Sequence, residues 1–216
     1  MSGRIGVLGG TFDPIHMGHL SAARAAQAAL GLDVVRFIPS SVPPHRTDRP
    51  RASGYHRLQM TALAVAGSPS WQASEAELEH DGPSYTFDTL TRFQRAEPRS
   101  RFFFIIGADA FAEVATWHRY PDVLGLAHFV VIARTGTSFD RLRTRLPHLA
   151  ARMLAADTLT SDQCLAAAFP SIFLVSAETP DISSTEIRRR AATGEPLDGM
   201  VPDEVARYIR QHHLYV

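Results

Sequence analysis

Residues 9–20 read Gly-Gly-Thr-Phe-Asp-Pro-Ile-His-Met-Gly-His-Leu, directly after the short apolar run Ile5–Leu8. An apolar run of this length predicts a buried strand. Apolar residues then recur at helical spacing from Met17 to Leu30, and Gly31 follows as a stop signal, so the pattern predicts a helix over this range. Residues 9–20 therefore form a strand-to-helix turn, where free backbone N–H groups and the positive end of the helix dipole favour an anion.

The same alternation of short apolar runs with helical segments continues along the chain, which predicts a parallel sheet with crossover helices. Further strands are predicted at Val34–Pro39, Arg101–Ile106, Phe129–Ala133 and Ile172–Val175, with an extra edge strand within Trp71–Leu78. Further helices are predicted over about 56–66, around Phe87, Leu90 and Phe93, from the capping pair Ser183 and Glu186, and from Pro202 to about His212. The fold class is therefore α/β, a Rossmann-like doubly wound parallel sheet with flanking helices and a C-terminal helical part.

A length of 216 residues fits one domain. We expect a single domain over residues 1–216, with a surface insertion at 138–170 and C-terminal helices over about 183–216. Within the insertion, an Arg-rich helical pattern that contains Arg141, Arg143 and Arg145 is expected to face water.

The charge balance restricts the partners of this chain. Its 22 basic residues match 22 acidic ones, so no net field draws it to nucleic acid or to an anionic membrane surface. Every basic residue is Arg, and the absence of Lys excludes Schiff-base chemistry and the lysine of a P-loop. Cys164 is the only cysteine, and no apolar stretch approaches the roughly 20 residues of a membrane span. We therefore expect a cytoplasmic protein that binds phosphate through guanidinium and backbone N–H groups.

The glycines and histidines of residues 9–20 suit a phosphate site. Gly9 and Gly10 let the backbone approach a ligand, and Gly18 removes a side chain from the first helical turn at a cost of about 1 kcal/mol. His16 and His19 are three residues apart, so both can reach an anion at the helix start. The spacing is neither that of the dinucleotide fingerprint nor that of a P-loop. Two alternatives stay open: a metal site, which needs a third ligand, and histidines that only cap or pack.

This segment resembles the nucleotidyltransferase superfamily that is defined by an H-x-G-H motif, whose members transfer a nucleotidyl group from a nucleoside triphosphate and release pyrophosphate. Residues 182–188, Ile-Ser-Ser-Thr-Glu-Ile-Arg, resemble the second superfamily motif, I-S-S-T-x-I-R. Ser183 to Thr185 place hydroxyl and N–H groups at another helix start, and Arg188 follows one turn later on the same side. We call residues 9–20 the first motif and residues 182–188 the second motif.

Segments in the middle of the chain resemble the bacterial nicotinate-mononucleotide adenylyltransferases. They are Pro44-His45-Arg46, Gly82–Leu90 and Ile106–Asp109 followed by Trp117, and the ending Val201-Pro202 with His213-Leu214-Tyr215 is similar as well. The resemblance implies an enzyme that transfers AMP from ATP to nicotinate mononucleotide and releases pyrophosphate, with Mg²⁺ accompanying ATP. It leaves the oligomeric state open, a homo-oligomer included.

The resemblance also implies the site residues. Expected to catalyse are His16, His19 and Arg188. Expected to bind ATP are Gly9, Gly10, Thr11, Phe12, His16, Gly18, His19, Gly107, Asp109, Ser183, Ser184, Thr185 and Arg188. Expected to bind nicotinate mononucleotide are His45, Arg46, Tyr85, Thr86, Asp109, Trp117 and Arg134. No side chain is assigned to the metal, which the phosphates are expected to hold.

Residue chemistry supports several of these assignments. Trp117 offers a flat π surface to a pyridine ring, although a Trp of the core is the alternative. The helix start at Thr86 offers N–H groups to the nicotinate carboxylate, and Asp109 can accept from ribose hydroxyls. Arg134 follows a strand end and could hold the acceptor phosphate.

Departures from the family and rival functions also follow from the residues. Arg46 stands where the family usually has Lys, and Thr135 where Pro is usual after Arg134. Two other functions stay open: a nucleotidyltransferase with another acceptor, such as phosphopantetheine, and a nucleotide-binding regulator that has lost the reaction.

Overall fold

The computed structural model describes residues 3–42, 49–80, 82–134, 139–159, 163 and 169–216. The strands in these ranges are β1 (Arg4–Gly10), β2 (Val34–Pro39), β3 (Trp71–Ala73), β4 (Arg101–Gly107), β5 (His128–Arg134), β6 (Met153–Ala155) and β7 (Ile172–Ala177). The α-helices are α1 (Met17–Leu30), α2 (Gly54–Val65), α3 (Thr86–Ala96), α4 (Ala108–Phe111), α5 (Asp140–Arg145), α6 (Ser184–Ala192) and α7 (Asp203–Gln211). Short 3-10 helices span Val114–Thr116, Asp122–Gly125, Pro147–Arg152 and Ala156–Thr158.

The strands of the described residues form one seven-stranded sheet in the order β3-β2-β1-β4-β5-β7-β6. The pairs β1–β4, β4–β5, β5–β7 and β6–β7 are all parallel. In the central register, Leu8 lies opposite Ile105, and Ile105 lies opposite Val130. Strand order runs outward in both directions from the β1–β4 pair, which confirms the predicted doubly wound α/β class.

Most predicted elements lie where the sequence places them. The helix predicted from Met17 to Leu30 has these bounds, and the five predicted core strands are present with ends shifted by at most two residues at the termini. The edge strand within Trp71–Leu78 is shorter than predicted and ends at Ala73. Ser183 caps α6 as predicted, because its Oγ accepts a hydrogen bond from the backbone N–H of Glu186 at 3.1 Å.

The chain divides into two compact units. The first contains the described residues up to Leu8, Ala22–Val35 and Tyr85–Glu178, and the second contains Gly9–Ser21, Arg36–Ser84 and Thr179–Val216. This division describes packing, and the expectation of a single domain over residues 1–216 stays a prediction. Within the described residues, no helix is long and apolar enough to cross a membrane.

The core of the first unit is rich in aromatic rings. The buried ring of Phe103 stacks on that of His128, with centroids 4.9 Å apart. Nδ1 of His128 accepts a hydrogen bond from the backbone N–H of Ser171 at 3.1 Å. Burial, together with the charges of Arg101 and Arg152, lowers the pKa of His128 to about 4. The imidazole is therefore neutral at physiological pH and serves as a core residue.

The region predicted as a surface insertion contributes to the sheet. Its described part, residues 139–159, contains α5 and β6, and β6 pairs with β7. The apolar side chains of this part are buried at Leu142, Leu146, Leu149, Met153 and Ala156. Strand β6 has three residues, which is too few to show an alternating apolar and polar pattern, so it was not predicted from the sequence.

The second unit has its own core. Phe37 of β2 packs against Trp71 of β3 with centroids 5.2 Å apart. Helix α2 packs against α7, and Met60 and Ile209 are buried. Ile187 is the buried residue of α6. Both motifs belong to this unit.

Candidate active site

The first motif begins where β1 ends at Gly10, and α1 begins at Met17. Phe12 adopts the left-handed region with a φ of 47°, and its ring is buried. A Cβ on Gly10 would lie 2.8 Å from Cε1 of this ring, closer than side-chain carbons approach. Gly10 is therefore required by the Phe12 ring, which fixes the course of the turn.

The two histidines of the motif lie face to face. The rings of His16 and His19 stack with centroids 3.7 Å apart. Nδ1 of His19 accepts a hydrogen bond from the backbone N–H of His16 at 3.2 Å, and the rings of Phe12 and His19 meet edge to face with centroids 4.9 Å apart. Because Nδ1 accepts, a neutral His19 has its proton on Nε2, where it can be donated to a ligand. The capping alternative therefore holds for Nδ1 of His19.

His16 lies in a different environment. His16 is 8% exposed, and its Nδ1 is buried without a hydrogen-bond partner among the described residues. Burial lowers the pKa of His16 to about 4, so the imidazole is neutral at physiological pH. A Cβ on Gly18 would lie 3.1 Å from Nδ1 and Cε1 of His16. Gly18 thus makes room for the His16 ring, which explains a glycine inside the first helical turn.

The second motif lies directly against the first. Oγ of Ser184 donates a hydrogen bond to the carbonyl oxygen of Pro14 at 3.0 Å. Nη1 of Arg188 donates to the carbonyl oxygen of Asp13 at 2.8 Å. These bonds join residues that are 170 and 175 positions apart in the chain. The structure therefore brings the two helix starts together within the second unit, and Arg188 contacts the turn that carries His16 and His19.

The three arginines of α6 have separate environments. Arg189 and Arg190 pair with Glu186 and Glu195 in an exposed cluster, in which hydrogen bonds from Arg189 lower the pKa of both carboxyls to about 2. Arg188 is outside this cluster, and its Nη2 donates to Oγ1 of Thr185 at 3.1 Å. Among the described residues, Arg188 is the one arginine of α6 that donates a hydrogen bond to the first motif.

A buried carboxylate in the first motif was missed by sequence reasoning. Asp13 is 3% exposed. Its Oδ1 accepts hydrogen bonds from the backbone N–H of Ala52 at 3.0 Å and from the hydroxyl of Tyr215 at 2.9 Å. Its Oδ2 accepts from the backbone N–H of Arg51 at 2.8 Å. Asp13 therefore links the turn to two distant segments, and nothing local in the sequence indicates these partners.

A buried arginine, Arg57, was missed as well. It is 2% exposed, and its Nη1 donates to the carbonyl oxygens of Thr11 and Ser40, each at 2.7 Å. Its position could have been inferred, since Arg57 shares the buried stripe of α2 with Met60, Thr61 and Val65. An arginine on a buried helix face must satisfy its donors internally, here with backbone carbonyl oxygens that include Thr11 of the first motif.

The predicted acceptor residues Tyr85, Thr86, Asp109, Trp117 and Arg134, together with Gly107 of the predicted ATP set, belong to the first unit. Tyr85 is the N-cap residue of α3, Thr86 is its first residue, and no side-chain hydrogen bond caps this helix start. The predicted helix start at Thr86 is therefore confirmed. Gly107 ends β4, Asp109 is exposed in the first turn of α4, and exposed Arg134 ends β5. Gly107 and Arg134 lie at the carboxyl ends of parallel strands, and Asp109 lies just after one, as expected.

Trp117 is half-buried and follows the 3-10 helix Val114–Thr116. Its ring meets Phe104 edge to face at 5.9 Å and lies 6.4 Å from Phe129. It therefore combines packing with an accessible part. Sequence reasoning missed its neighbour His118, whose ring stacks on Tyr85 with centroids 4.2 Å apart. His45 and Arg46 lie outside the described residues.

Metal ligands are sparse among the residues that the structure describes. These contain no group of three or more His, Cys, Asp or Glu side chains that could hold a metal ion. In particular, the stacked pair His16 and His19 has no third ligand of this kind. The described geometry offers no support for a zinc site at the first motif.

The family model described as cytidylyltransferase-like matches residues 7–190, a range that includes both motifs. The chain belongs to the cytidylyltransferase-like family. This membership confirms the resemblance inferred from the motifs and extends from β1 into α6.

Curated relatives of this family member match over nearly its whole length. A "Probable nicotinate-nucleotide adenylyltransferase" of Bacillus pumilus is 37% identical over 98% of both chains. Proteins with the same name from Moorella thermoacetica and Clavibacter michiganensis are 38% and 39% identical, covering 99% and 98% of this chain and 92% and 94% of theirs. These matches include the middle segments that resemble nicotinate-mononucleotide adenylyltransferases.

Solved structures support the fold of the family member. The Plasmodium falciparum nicotinic acid mononucleotide adenylyltransferase complexed with NaAD has a TM-score of 0.72, with 18% identity over 99% of this chain and 97% of that one. The same protein complexed with APC also has a TM-score of 0.72, with 17% identity. At this identity the likeness shows a shared Rossmann-like fold.

Proposed function

We propose that this chain is an adenylyltransferase that transfers AMP from ATP to nicotinate mononucleotide, giving deamido-NAD and pyrophosphate. The observation that carries the proposal is the contact between the two motifs, through Ser184 with Pro14 and Arg188 with Asp13. The second unit thus contains both helix starts, the two imidazoles and the guanidinium of Arg188. Such an array of N–H donors suits a chain of phosphates. The names of the full-length relatives support the choice of acceptor.

We assign each donor group to a particular part of the triphosphate. His19 offers its Nε2 proton to the α- and β-phosphates, and His16 contributes as a neutral imidazole. Arg188 and the N–H groups at the start of α6 hold the leaving pyrophosphate, because a guanidinium fork matches phosphate oxygens. Gly9, Gly10 and Thr11 let the backbone of the turn approach the nucleotide.

The reaction is a substitution at the α-phosphorus. A phosphate oxygen of nicotinate mononucleotide forms the new P–O bond, and the bond to the β-phosphate breaks with its electron pair going to pyrophosphate. This nucleophile is already ionised at neutral pH, so the protein needs no general base. Its contribution is alignment of the two substrates and stabilisation of charge on the leaving group.

Mg²⁺ belongs to the proposal as part of the substrate MgATP. The described residues provide no cage for it, and the Asp13 carboxylate already accepts three hydrogen bonds. This donor set fits an ion that keeps most of its waters and is held by phosphate oxygens. When bound, Mg²⁺ neutralises part of the phosphate charge.

The acceptor is proposed to bind residues at the start of α3 and at the carboxyl ends of β4 and β5. The free N–H groups at Thr86 hold the nicotinate carboxylate, with Tyr85 beside them. Trp117 stacks on the pyridine ring, Asp109 accepts from ribose hydroxyls, and Arg134 holds the acceptor phosphate. His45 and Arg46 join this set on the resemblance alone. Gly107 leaves space beside Asp109, since a Cβ there would have no neighbour within 4 Å.

The cellular setting is proposed from composition. With no net charge and one cysteine, the chain suits a reducing cytoplasm and small-molecule substrates rather than nucleic acid.

The proposal is tested by measuring pyrophosphate release from MgATP with each acceptor in turn. The kcat/KM for nicotinate mononucleotide should be about 100-fold higher than that for its amide analogue, because only the acid supplies a carboxylate to the Thr86 N–H groups. With phosphopantetheine or water as the acceptor, no pyrophosphate should be released. Equal use of acid and amide would contradict the carboxylate site, release with phosphopantetheine alone would favour the rival acceptor, and no release with any acceptor would favour a regulator.

Replacing Trp117 by alanine should raise the KM for nicotinate mononucleotide about tenfold or more while leaving the KM for ATP nearly unchanged, since the stacking surface is lost. Steady-state kinetics with each substrate varied in turn measures this. Trp117→Phe is the matched control, because it keeps an aromatic face and should recover most of the loss. A rise in the KM for ATP alone would mean that the indole of Trp117 contacts ATP and not the mononucleotide.

A further inference from the structure

Tyr215, next to the last residue of the chain, contacts the first motif. Its hydroxyl donates a hydrogen bond to Oδ1 of Asp13 at 2.9 Å, across 202 positions of sequence. Asp13 is almost fully buried, and a buried carboxylate is costly unless hydrogen bonds compensate its charge. Burial and the charge of Asp13 raise the pKa of Tyr215, so its hydroxyl stays a donor at any physiological pH. The hydroxyl is therefore a permanent partner of this carboxylate.

Asp13 also contacts Arg188, which the proposed function assigns to the leaving pyrophosphate. Nη1 of Arg188 donates to the carbonyl oxygen of Asp13 at 2.8 Å and lies 3.9 Å from its Oδ2. The carboxylate thus competes with a bound phosphate for the same guanidinium. How strongly it competes depends on how well its other donors compensate its charge.

Those other donors are few and fixed. The backbone N–H groups of Ala52 and Arg51 donate to Oδ1 and Oδ2. Arg57 adds positive charge near both Asp13 and Tyr215, while its own Nη1 is used by backbone carbonyls. Among the described residues, Tyr215 is the side chain that hydrogen-bonds this carboxylate, and a conservative substitution can remove its hydroxyl without deleting a charge.

We infer that Tyr215 is a positioning residue of the phosphate site, which acts through Asp13 to leave Arg188 free to bind the phosphates of ATP. The inference rests on the proposed function. Without the hydroxyl, the carboxylate draws the guanidinium toward itself and away from the phosphates. The affinity for ATP is then lowered, whereas the binding of nicotinate mononucleotide is unaffected.

Tyr215→Phe tests this inference, because it removes the hydroxyl and keeps the ring. The Kd for MgATP, measured by calorimetry without acceptor, should rise about tenfold, as should the KM for ATP, while the KM for nicotinate mononucleotide should stay within about twofold. Tyr208→Phe is the matched control: its hydroxyl hydrogen-bonds Nδ1 of His56 at 2.9 Å in the same unit. It should leave all three constants unchanged.

A second pair of variants checks that the effect passes through Asp13. In an Asp13→Asn background, adding Tyr215→Phe should change the Kd for MgATP by less than about twofold, since no charge is left to compensate. An unchanged Kd in Tyr215→Phe, equal losses for both substrates, or a full tenfold loss in the Asp13→Asn background would each overturn the inference. If the wild-type chain binds ATP but uses no mononucleotide, the proposed function fails while the Kd arms still decide this inference.

Discussion

His19→Ala should lower kcat by a factor of about 10² to 10⁴, with a milder effect on the Kd for ATP. The reason lies in the hydrogen bonding of the ring. Nδ1 of His19 accepts from the backbone N–H of His16, so the donor that we propose for the reacting phosphates is Nε2–H. A contact that strengthens as charge develops on the leaving group contributes mainly to turnover. Single-turnover formation of deamido-NAD under saturating substrates measures the loss directly.

A matched control separates this effect from general damage to a histidine-containing surface. His212 belongs to the same unit, and its ring packs on Tyr208 at 4.2 Å. His212→Ala should leave kcat within about twofold of the wild type. Unchanged turnover in His19→Ala would remove His19 from the catalytic set.

Arg188→Ala should lower kcat/KM for ATP by a factor of about 10² to 10³. Arg188 lies in α6 and donates a hydrogen bond to the first motif, and the chain has no lysine to replace it. Arg188→Lys should recover part of the loss, because an ammonium keeps the charge without the bidentate fork. The lost bond to Asp13 also lowers stability, so thermal unfolding is measured alongside the kinetics.

Arg189→Ala is the matched control on the same helix. Arg189 pairs with Glu186 and Glu195 on the exposed side of α6. Its removal should leave kcat/KM for ATP within about twofold, because exposed pairs of this kind contribute little. Equal losses in Arg188→Ala and Arg189→Ala would show that α6 charge in general, and not one positioned guanidinium, binds the phosphates.

The sequence was sufficient where local patterns determine the structure. Buried parallel strands read as continuous apolar runs, so the strands ending at Gly10 and Gly107 were predictable. The start of α6 was predictable from its capping residue Ser183. Two long motifs also indicated a shared phosphate site, since each places free N–H groups at a helix start.

The sequence was insufficient where distant residues meet. Asp13 is hydrogen-bonded by Ala52 and Tyr215, and no periodicity predicts such partners. Gly18 illustrates a different limit. The sequence predicted that a side chain is excluded at this position, but it did not predict that the ring of His16 fills the space. The pKa of His16 could not be inferred either, because it depends on burial that only packing decides.

The most direct test of this account is an experimental structure of the chain with a non-hydrolysable ATP analogue. The measured quantities are the distances from Nε2 of His19 and from the guanidinium of Arg188 to the phosphate oxygens. Both should lie at hydrogen-bond distance, about 3 Å, from one triphosphate. A triphosphate that contacts one of these side chains while the other faces away would contradict the account.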